Sequence, residues 1–205
     1  MRVAKIKGLL YDLVSLIYKG VCIMPNAEIT KKALGQAMKE LMQHTAFDKI
    51  SVSDITKKCG MNRNTFYYHF QDKYELVNWI FCSETSEYIY TVKYDDNWTD
   101  GILKICMYMV ENKKFYSNAL NHMGQNSLTE YLLHFIKETI LEFIKAIPKA
   151  KTITDSEIDF IANFYASAFV GLVMYWAKGG LKEDPTTHVK HIEDLIRKGL
   201  ISALA

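Results

Sequence analysis

The strongest constraint in this sequence is a pair of short helix signals separated by one glycine, between residues 51 and 70. Ser51 and Asp54 have the spacing of a capping box, in which the hydroxyl accepts a backbone N–H and the acid reaches back. Gly60 follows about two turns later, where a helix end favours a residue with positive φ. Asn62 or Asn64 can then cap a second short helix ending near residue 69. The pattern predicts two short helices joined by a tight turn.

Helical periodicity continues along the rest of the chain. Only three prolines and ten glycines interrupt 205 residues, which favours long helices over short strands. From Ile29 to Met42 the apolar residues recur every three or four positions, which predicts an amphipathic helix with Thr30 as its N-cap. Asp72 is predicted to cap a long fourth helix, and further helices are predicted at about 99–112, 114–122, 127–147, 156–178 and 186–204. No alternating strand pattern occurs in the sequence, so the predicted fold class is all-α.

Residues 1–23 leave three interpretations open. Their apolar run at 9–17 suggests a signal peptide, but Asp12 interrupts it and no small-residue cleavage site follows. The run is too short to span a bilayer, and it could instead form an amphipathic helix. The third interpretation is our hypothesis: Lys19-Gly20-Val21 can be encoded by a purine-rich ribosome-binding sequence just before the Met24 codon. Translation would then start at Met24, and 1–23 would be a non-native extension.

The second short helix has the side chains that reading DNA requires. A recognition helix needs polar groups near its N-terminus that reach base edges in the major groove, and this helix has Asn62, Arg63 and Asn64 there. It also needs an apolar stripe for seating, which Phe66 and Phe70 supply. The local charge agrees, because residues 30–80 hold eight Lys/Arg against five Asp/Glu, whereas 81–205 hold thirteen against sixteen. We therefore expect a DNA-binding head on a body that does not bind DNA.

Phosphate contacts are predicted around the same helix, because they fix the register of a protein on the duplex. The predicted donors are Ser51, Ser53, Tyr67, Tyr68, His69 and Lys73. The alternative for the two tyrosines is that they are ordinary core aromatics. Since neighbouring residues on a helix point about 100° apart, at least one of them must face solvent.

A longer pattern contains these residues: Phe47-x-x-Ile50-Ser-Val-x-Asp-Ile55, then Cys59-Gly60-Met61, then Thr65-Phe-Tyr-Tyr-His-Phe70-x-Asp-Lys73-x-x-Leu76. In this order and spacing, the stretch from residue 29 to about 80 resembles the N-terminal domain of the TetR family of bacterial regulators. The resemblance implies phosphate contacts from Tyr67, His69 and Lys73. It places Asn62, Arg63, Asn64 and Tyr68 at or near bases, and it implies a backbone or phosphate contact from Thr65.

The resemblance also implies an architecture: a three-helix helix-turn-helix DNA-binding domain at 24–80, followed by a larger helical ligand-sensing and dimerisation domain at 81–205. A polar loop at 95–100 is the predicted boundary. The implied function is regulation of transcription in the cytoplasm, by a homodimer on a palindromic double-stranded operator, under a small-molecule effector. The body further resembles the DhaS-like subgroup through Phe169-Val-Gly-Leu-Val-x-x-Trp176-x-x-Gly-Gly180. That likeness implies an alternative, an activator controlled through a partner protein.

The last two long helices carry apolar stripes that predict a dimer interface, since two half-sites on one face of DNA require a two-fold dimer. The first stripe comprises Ile158, Ile161, Ala162, Tyr165, Ala166, Phe169, Val170 and Val173. The second comprises Val189, Ile192, Leu195, Ile196, Leu200 and Ile201. The alternative is that both stripes close the core of the monomer itself.

The sequence contains no catalytic constellation, so we expect neither an enzyme nor a cofactor. His188 and His191 are three residues apart on the last helix, but a solvated helix face is favoured over a metal site. The four cysteines lack paired spacing, which predicts free thiols in a reducing compartment. No membrane span is expected. The aromatic and methionine-rich middle of the chain fits either a ligand cavity or plain core packing, so no pocket residues are predicted.

Overall fold

The computed structural model describes residues 25–94, 98–122, 124–146 and 153–201, and every regular element in these ranges is a helix. The all-α prediction is therefore confirmed, while the predicted extension at 1–23 lies outside the described residues. The first elements are α1 (Pro25–Leu41), a 3-10 turn (Phe47–Lys49), α2 (Val52–Lys58), α3 (Arg63–His69) and α4 (Lys73–Tyr94). They are followed by α5 (Trp98–Glu111), α6 (Lys113–Leu120), α7 (Leu128–Ala146), α8 (Asp155–Lys178) and α9 (Pro185–Leu195), which Ile196–Ile201 prolongs as a π-helix.

The first helix begins earlier than the sequence predicted. Thr30 lies inside α1, whose first residue is Pro25, so its assignment as N-cap is wrong. Proline suits the first turn because its missing N–H would have no partner there, and Glu28 in that turn complements the helix dipole. The ends predicted for the later helices agree with the structure within one or two residues wherever the chain is described.

The helices α1 to α3, together with the start of α4, form what we call the head. Its core contains Leu34, Met38, Ile55 and Phe66, each with no exposed surface. Burial of each such side chain stabilises the fold by roughly 1.5–3 kcal/mol. This packing holds α3 from behind and leaves its outer face open.

The long helix α4 belongs to the head at its first turns and then packs along α5. The two helices approach closely at Gly101, where an added Cβ would lie 2.7 Å from the Tyr88 carbonyl oxygen. Only a residue without a side chain allows that crossing. The predicted division into 24–80 and 81–205 stays a prediction, and α4 is continuous through it. The polar loop at 95–100 is described only from Trp98, which already begins α5.

The helix α8 packs on α7, and the predicted dimer stripe on α8 faces inward. Ile158, Ala162, Ala166, Phe169 and Val170 are all buried within this one chain. The alternative, core closure, therefore holds for the α8 stripe. Among the described helices, α8 is also the one that is long and apolar enough to cross a membrane by length and composition, a test that soluble core helices can pass as well.

Candidate nucleic-acid interface

The start of α2 is fixed by the predicted capping box. The Ser51 hydroxyl accepts the Asp54 N–H at 3.2 Å, and the Asp54 carboxylate accepts the Ser51 N–H at 2.9 Å and its O–H at 2.6 Å. These bonds from Ser51 lower the pKa of Asp54 below its usual range. Ser51 is exposed and Ser53 is half-buried on the first turn. The hydroxyl of Ser51 is thus already engaged within the protein.

The turn between α2 and α3 has the geometry that the glycine predicted. Gly60 has φ +68°, its N–H donates to the Lys57 carbonyl, and the Met61 N–H donates to the Thr56 carbonyl at 2.8 Å. This pair of bonds is a Schellman motif, which satisfies the last carbonyls of a helix. It ends α2 sharply and aims the chain into α3.

Asn62 is the N-cap of α3. Of the two caps that the sequence allowed, Asn62 and Asn64, the structure therefore selects the first. Its side-chain oxygen accepts the Thr65 N–H at 2.8 Å and the Thr65 hydroxyl at 3.1 Å. Arg63 and Asn64 follow in the first turn and are exposed. The capping bonds occupy the Asn62 oxygen and the Thr65 donors, while Asn62 itself is exposed.

The aromatic residues of α3 divide between its two sides. Phe66 is fully buried and Phe70 is 3% exposed, whereas Tyr67 is 50% and Tyr68 is 84% exposed. The seating role predicted for the phenylalanines is confirmed, and the alternative that both tyrosines are core aromatics is wrong. Arg63 lies 5.9 Å from the centre of the Tyr67 ring, with its Nη2 at 3.4 Å from the hydroxyl. This stacking orients two predicted contact residues together.

His69, at the end of α3, has a ring next to the ring of Tyr68, with centroids 4.9 Å apart. Burial, and to a lesser degree the charge of Lys31, lowers the pKa of His69. The imidazole is therefore predominantly neutral near pH 7 and can donate a hydrogen bond without carrying a charge. Lys31 belongs to α1, and its ammonium lies 5.7 Å from the Phe70 ring. Lys31 is not among the contact residues that the sequence predicted. A signal was present, because Lys31 lies one helical turn before the core residue Leu34.

Lys73 is placed differently from the other predicted contacts. Its ammonium donates to the carbonyls of Phe47 and Ile50, both at 2.8 Å, and to that of Asp48 at 3.3 Å. It also lies 4.5 Å from the Phe47 ring centre. Burial lowers the pKa of Lys73, and Asp48 partly opposes this effect. The ammonium is thus engaged with carbonyls in and next to the 3-10 turn.

The remaining candidate sites do not gather into a second centre. Among the described residues, no group of three metal-ligating side chains comes together. His188 instead pairs with Glu183 at 2.7 Å. The aromatic residues of the middle of the chain are divided, since Phe115 and Tyr116 are core residues whereas Phe164 and Tyr175 are largely exposed.

Two parts of the chain match known protein families. Residues 36–80 match the family described as bacterial regulatory proteins, tetR family. Residues 96–198 match the family described as transcriptional regulator C-terminal region. A relative from Lactococcus lactis subsp. lactis (strain IL1403), the HTH-type dhaKLM operon transcriptional activator DhaS, is 39% identical over 152 residues, which cover 73% of this chain and 80% of the relative.

Solved structures agree with these matches. The dihydroxyacetone kinase operon activator DhaS has a TM-score of 0.54 at 26% identity, over 83% of this chain and 95% of that one. NalD of Pseudomonas aeruginosa, the secondary repressor of the MexAB-OprM multidrug efflux pump, has a TM-score of 0.56 at 15% identity, over 85% and 96%. The second likeness concerns the fold alone. With the helix-turn-helix geometry, the match over half of the chain and the 39% identity to a curated regulator, this chain belongs to the TetR family of DNA-binding transcriptional regulators.

Proposed function

We propose that the protein binds a palindromic double-stranded operator as a homodimer and inserts α3 of each subunit into the major groove. The observation that carries this proposal is the division of α3 into an anchored and an open face. Phe66 is fully buried, while Tyr68 is 84% exposed in the same helix. A recognition helix requires this combination of rigid seating and accessible side chains.

The geometry supports a role for each contact residue. Arg63, Asn64, Tyr68 and the NH₂ group of Asn62 lie on the side of α3 that would face base edges, where arginine suits guanine and asparagine suits adenine. Tyr67 and His69 are proposed phosphate donors. Thr65 is proposed to contribute indirectly, because its N–H and its hydroxyl both donate to Asn62 and so fix the start of α3. Ser51, the N-cap of α2, and Ser53, on its first turn, would approach the same phosphate strand.

Selection of bound DNA from a random library tests this proposal. The wild-type chain should enrich a palindrome, and Arg63→Ala should weaken binding by roughly 1–3 kcal/mol and relax specificity at one position of each half-site. Lys190→Ala, an exposed residue of α9, is the matched control and should bind normally. Binding should weaken steeply as salt rises. If the library yields no enriched sequence, or if Arg63→Ala binds as well as the control, the proposal is refuted.

The proposed face for the second subunit is the outer side of α8. Phe160, Phe164 and Tyr175 are 70%, 60% and 71% exposed, and Leu172 lies beside them. Together with the small residues Ala168 and Gly171 they form one apolar stripe, whose members follow one another at intervals of about three to four residues. An exposed run of large apolar side chains along one helix is characteristic of an interface. A second copy of the chain is the proposed occupant, because reading a palindrome requires a two-fold pair.

Light scattering after size exclusion tests the interface. Phe164→Glu should convert a dimer into a monomer at micromolar concentration, because the charge would be buried without a partner. Ile29→Glu is the control, since Ile29 is 64% exposed on α1 and far along the chain from α8. It should leave the mass of the dimer unchanged. A monomeric wild-type chain, or a Phe164→Glu variant that remains dimeric, would contradict this assignment.

A small-molecule effector acting on the body is the proposed input. The Tyr116 hydroxyl is buried and has no hydrogen-bond partner among the described residues, and burial keeps it neutral by raising its pKa. Beside its ring lies that of Tyr108, at 6.1 Å. An unpaired buried hydroxyl is costly, so a polar ligand group would stabilise this region. A thermal-shift screen of metabolites should find a compound that raises the melting temperature, and Tyr116→Phe should reduce that shift.

The second candidate is a cytoplasmic activator controlled through a partner protein. The 39% identity to the dhaKLM operon transcriptional activator DhaS favours it. A reporter behind the selected operator separates the two signs of control, because deletion of an activator lowers expression. A specific protein that co-purifies with the full-length chain would favour control by a partner. The same conclusion requires that no metabolite in the thermal-shift screen raises the melting temperature of the chain.

A further inference from the structure

A single side chain of the body forms three hydrogen bonds with the head. The Asn118 side-chain oxygen accepts the Phe47 N–H at 2.9 Å. Its NH₂ group donates to the Thr45 carbonyl at 2.8 Å and to the Met42 carbonyl at 3.3 Å. Asn118 belongs to α6, more than seventy positions after these partners. These bonds pin the connection between α1 and α2 to the body.

We propose that Asn118 is a positioning residue for DNA binding, which sets the orientation of the helix-turn-helix relative to the body. This inference rests on the proposed function, because orientation matters where two heads must meet two half-sites together. Asn118 does not approach the open face of α3. Its effect would pass through the 3-10 turn at Phe47–Lys49.

The α1–α2 connection needs a partner from elsewhere, because its own residues provide no cap. Ala46 is the N-cap of the 3-10 turn, and it has no side-chain oxygen for the Phe47 N–H. Asn118 supplies that oxygen, and its two amide protons satisfy carbonyls of the same connection. Only a side chain with both an acceptor and two donors can form all three bonds. An asparagine at this position is therefore specific to the task.

The turn that Asn118 holds leads directly into the DNA-reading part of the chain. Lys73 donates to the carbonyl of Phe47, the first residue of this turn, and to that of Ile50, the residue that follows it. Ser51, the cap of α2, is the next residue. A displacement of the turn would therefore move α2, and α3 with it through the rigid Schellman turn at Gly60.

Two further residues of the body, His122 and Asn126, contact the beginning of α4. His122 Nε2 lies 3.0 Å from the Tyr74 hydroxyl on α4. Asn126 accepts a bond from the Asn78 side chain at 3.1 Å through its carbonyl, and its NH₂ lies 3.4 Å from Asp72. One helix, α4, would by itself leave the head free to pivot. The contacts from Asn118, His122 and Asn126 add attachments that do not run through the covalent chain.

The test measures how strictly the operator spacing is read. A library of the selected palindrome with half-site spacings varied one base pair at a time is bound by the wild-type chain and by Asn118→Ala. The wild type should prefer one spacing. The variant should accept neighbouring spacings and lose about ten-fold in affinity at the best one, equivalent to the roughly 1.4 kcal/mol of one net hydrogen bond. The half-site sequence itself should not change.

Asn112→Ala is the matched control, because the Asn112 NH₂ group donates to the Tyr108 carbonyl at 3.1 Å within the body. It removes a comparable amide bond without touching the head, and it should keep the wild-type spacing. Asn118→Asp preserves the side-chain shape but loses both donors, so it should broaden the spacing as Asn118→Ala does. If Asn118 contributes only by packing, Asn118→Asp should keep the wild-type spacing preference, and that result would overturn the proposal.

Tyr74→Phe removes only the hydroxyl that contacts His122 and leaves the aromatic ring in place. It therefore provides a second measurement in a variant whose core packing is preserved. It should broaden the spacing to a smaller extent. An unchanged spacing profile in both Asn118→Ala and Tyr74→Phe, or equal broadening in Asn112→Ala, refutes the inference while leaving the proposed function intact. If the wild-type chain enriches no operator, the proposed function fails first and this inference fails with it.

Discussion

Lys73 provides the sharpest test of how the head is built, because the sequence and the structure predict different roles for its ammonium group. The family resemblance implies a phosphate contact, whereas the ammonium donates to three carbonyls of the 3-10 turn. Substitution of Lys73 by Met preserves the length of the aliphatic stem and removes the charge. We expect Lys73→Met to destabilise the head without a direct loss of a phosphate contact.

The expected cost follows from the two short bonds, to Phe47 and Ile50. A hydrogen bond from a charged donor contributes roughly 1.5–3 kcal/mol. Burial opposes the charge, as the lowered pKa of Lys73 indicates, so part of that gain is offset. The net loss is then about 2 kcal/mol of unfolding free energy, or about 4–8 °C in melting temperature for a chain of this size.

Two assays on the same variant separate the assignments. Thermal unfolding measures stability, and operator affinity over a range of salt concentrations counts phosphate contacts. Each lost phosphate contact lowers the slope of log affinity against log salt by about 0.9, or about 1.8 for both subunits of a dimer. Lys190→Met is the control for both readouts. A slope reduced by about 1.8 with unchanged stability would refute our reasoning and restore the phosphate role.

Two further predictions concern the capping box at the start of α2 and the close crossing of α4 and α5. Asp54 has a pKa below its ordinary 3.8, so its capping bonds stabilise the fold above that pH and are lost as the pH falls through the lowered value. Asp54→Asn should therefore flatten the acid dependence of unfolding below about pH 4, and an unaltered acid profile would contradict this. Gly101→Ala should cost roughly 1–3 kcal/mol, since its Cβ would lie 2.7 Å from the Tyr88 oxygen. Calorimetry measures the loss, and a wild-type melting temperature would show that the crossing can yield.

The features that the sequence predicted correctly depend on residues a few positions apart. Ser51 meets Asp54 three residues later, and Asn62 meets Thr65 at the same spacing. Gly60 closes its turn on bonds that stay within five residues. Local hydrogen bonding decides such elements, so a pattern in the sequence is sufficient. The one local error, at Thr30, arose because Pro25 allows the helix to start earlier.

The features that the sequence did not predict depend on distant partners. Lys73 finds the carbonyls of residues more than twenty positions earlier, and Asn118 finds partners more than seventy positions earlier. On α8 the difficulty differs, because two of its sides are apolar. Phe169 faces the core and Phe164 faces outward. Periodicity locates both stripes but contains no information about which side a neighbouring helix covers.

From the positions of Asn118 and Lys73 we infer that a change in the body would reach the DNA through the 3-10 turn. Asn118 of α6 accepts the N–H of Phe47, the first residue of the turn, and Lys73 of α4 donates to the carbonyl of the same residue. A hydrogen bond of 2.9 Å is lost once its atoms separate beyond about 3.5 Å. A shift of α6 by roughly 0.6 Å away from the turn would therefore release the Phe47 N–H. The proposed effector would therefore need no large rearrangement of the body to act on the head, only enough motion to separate Asn118 from the turn that leads into Ser51.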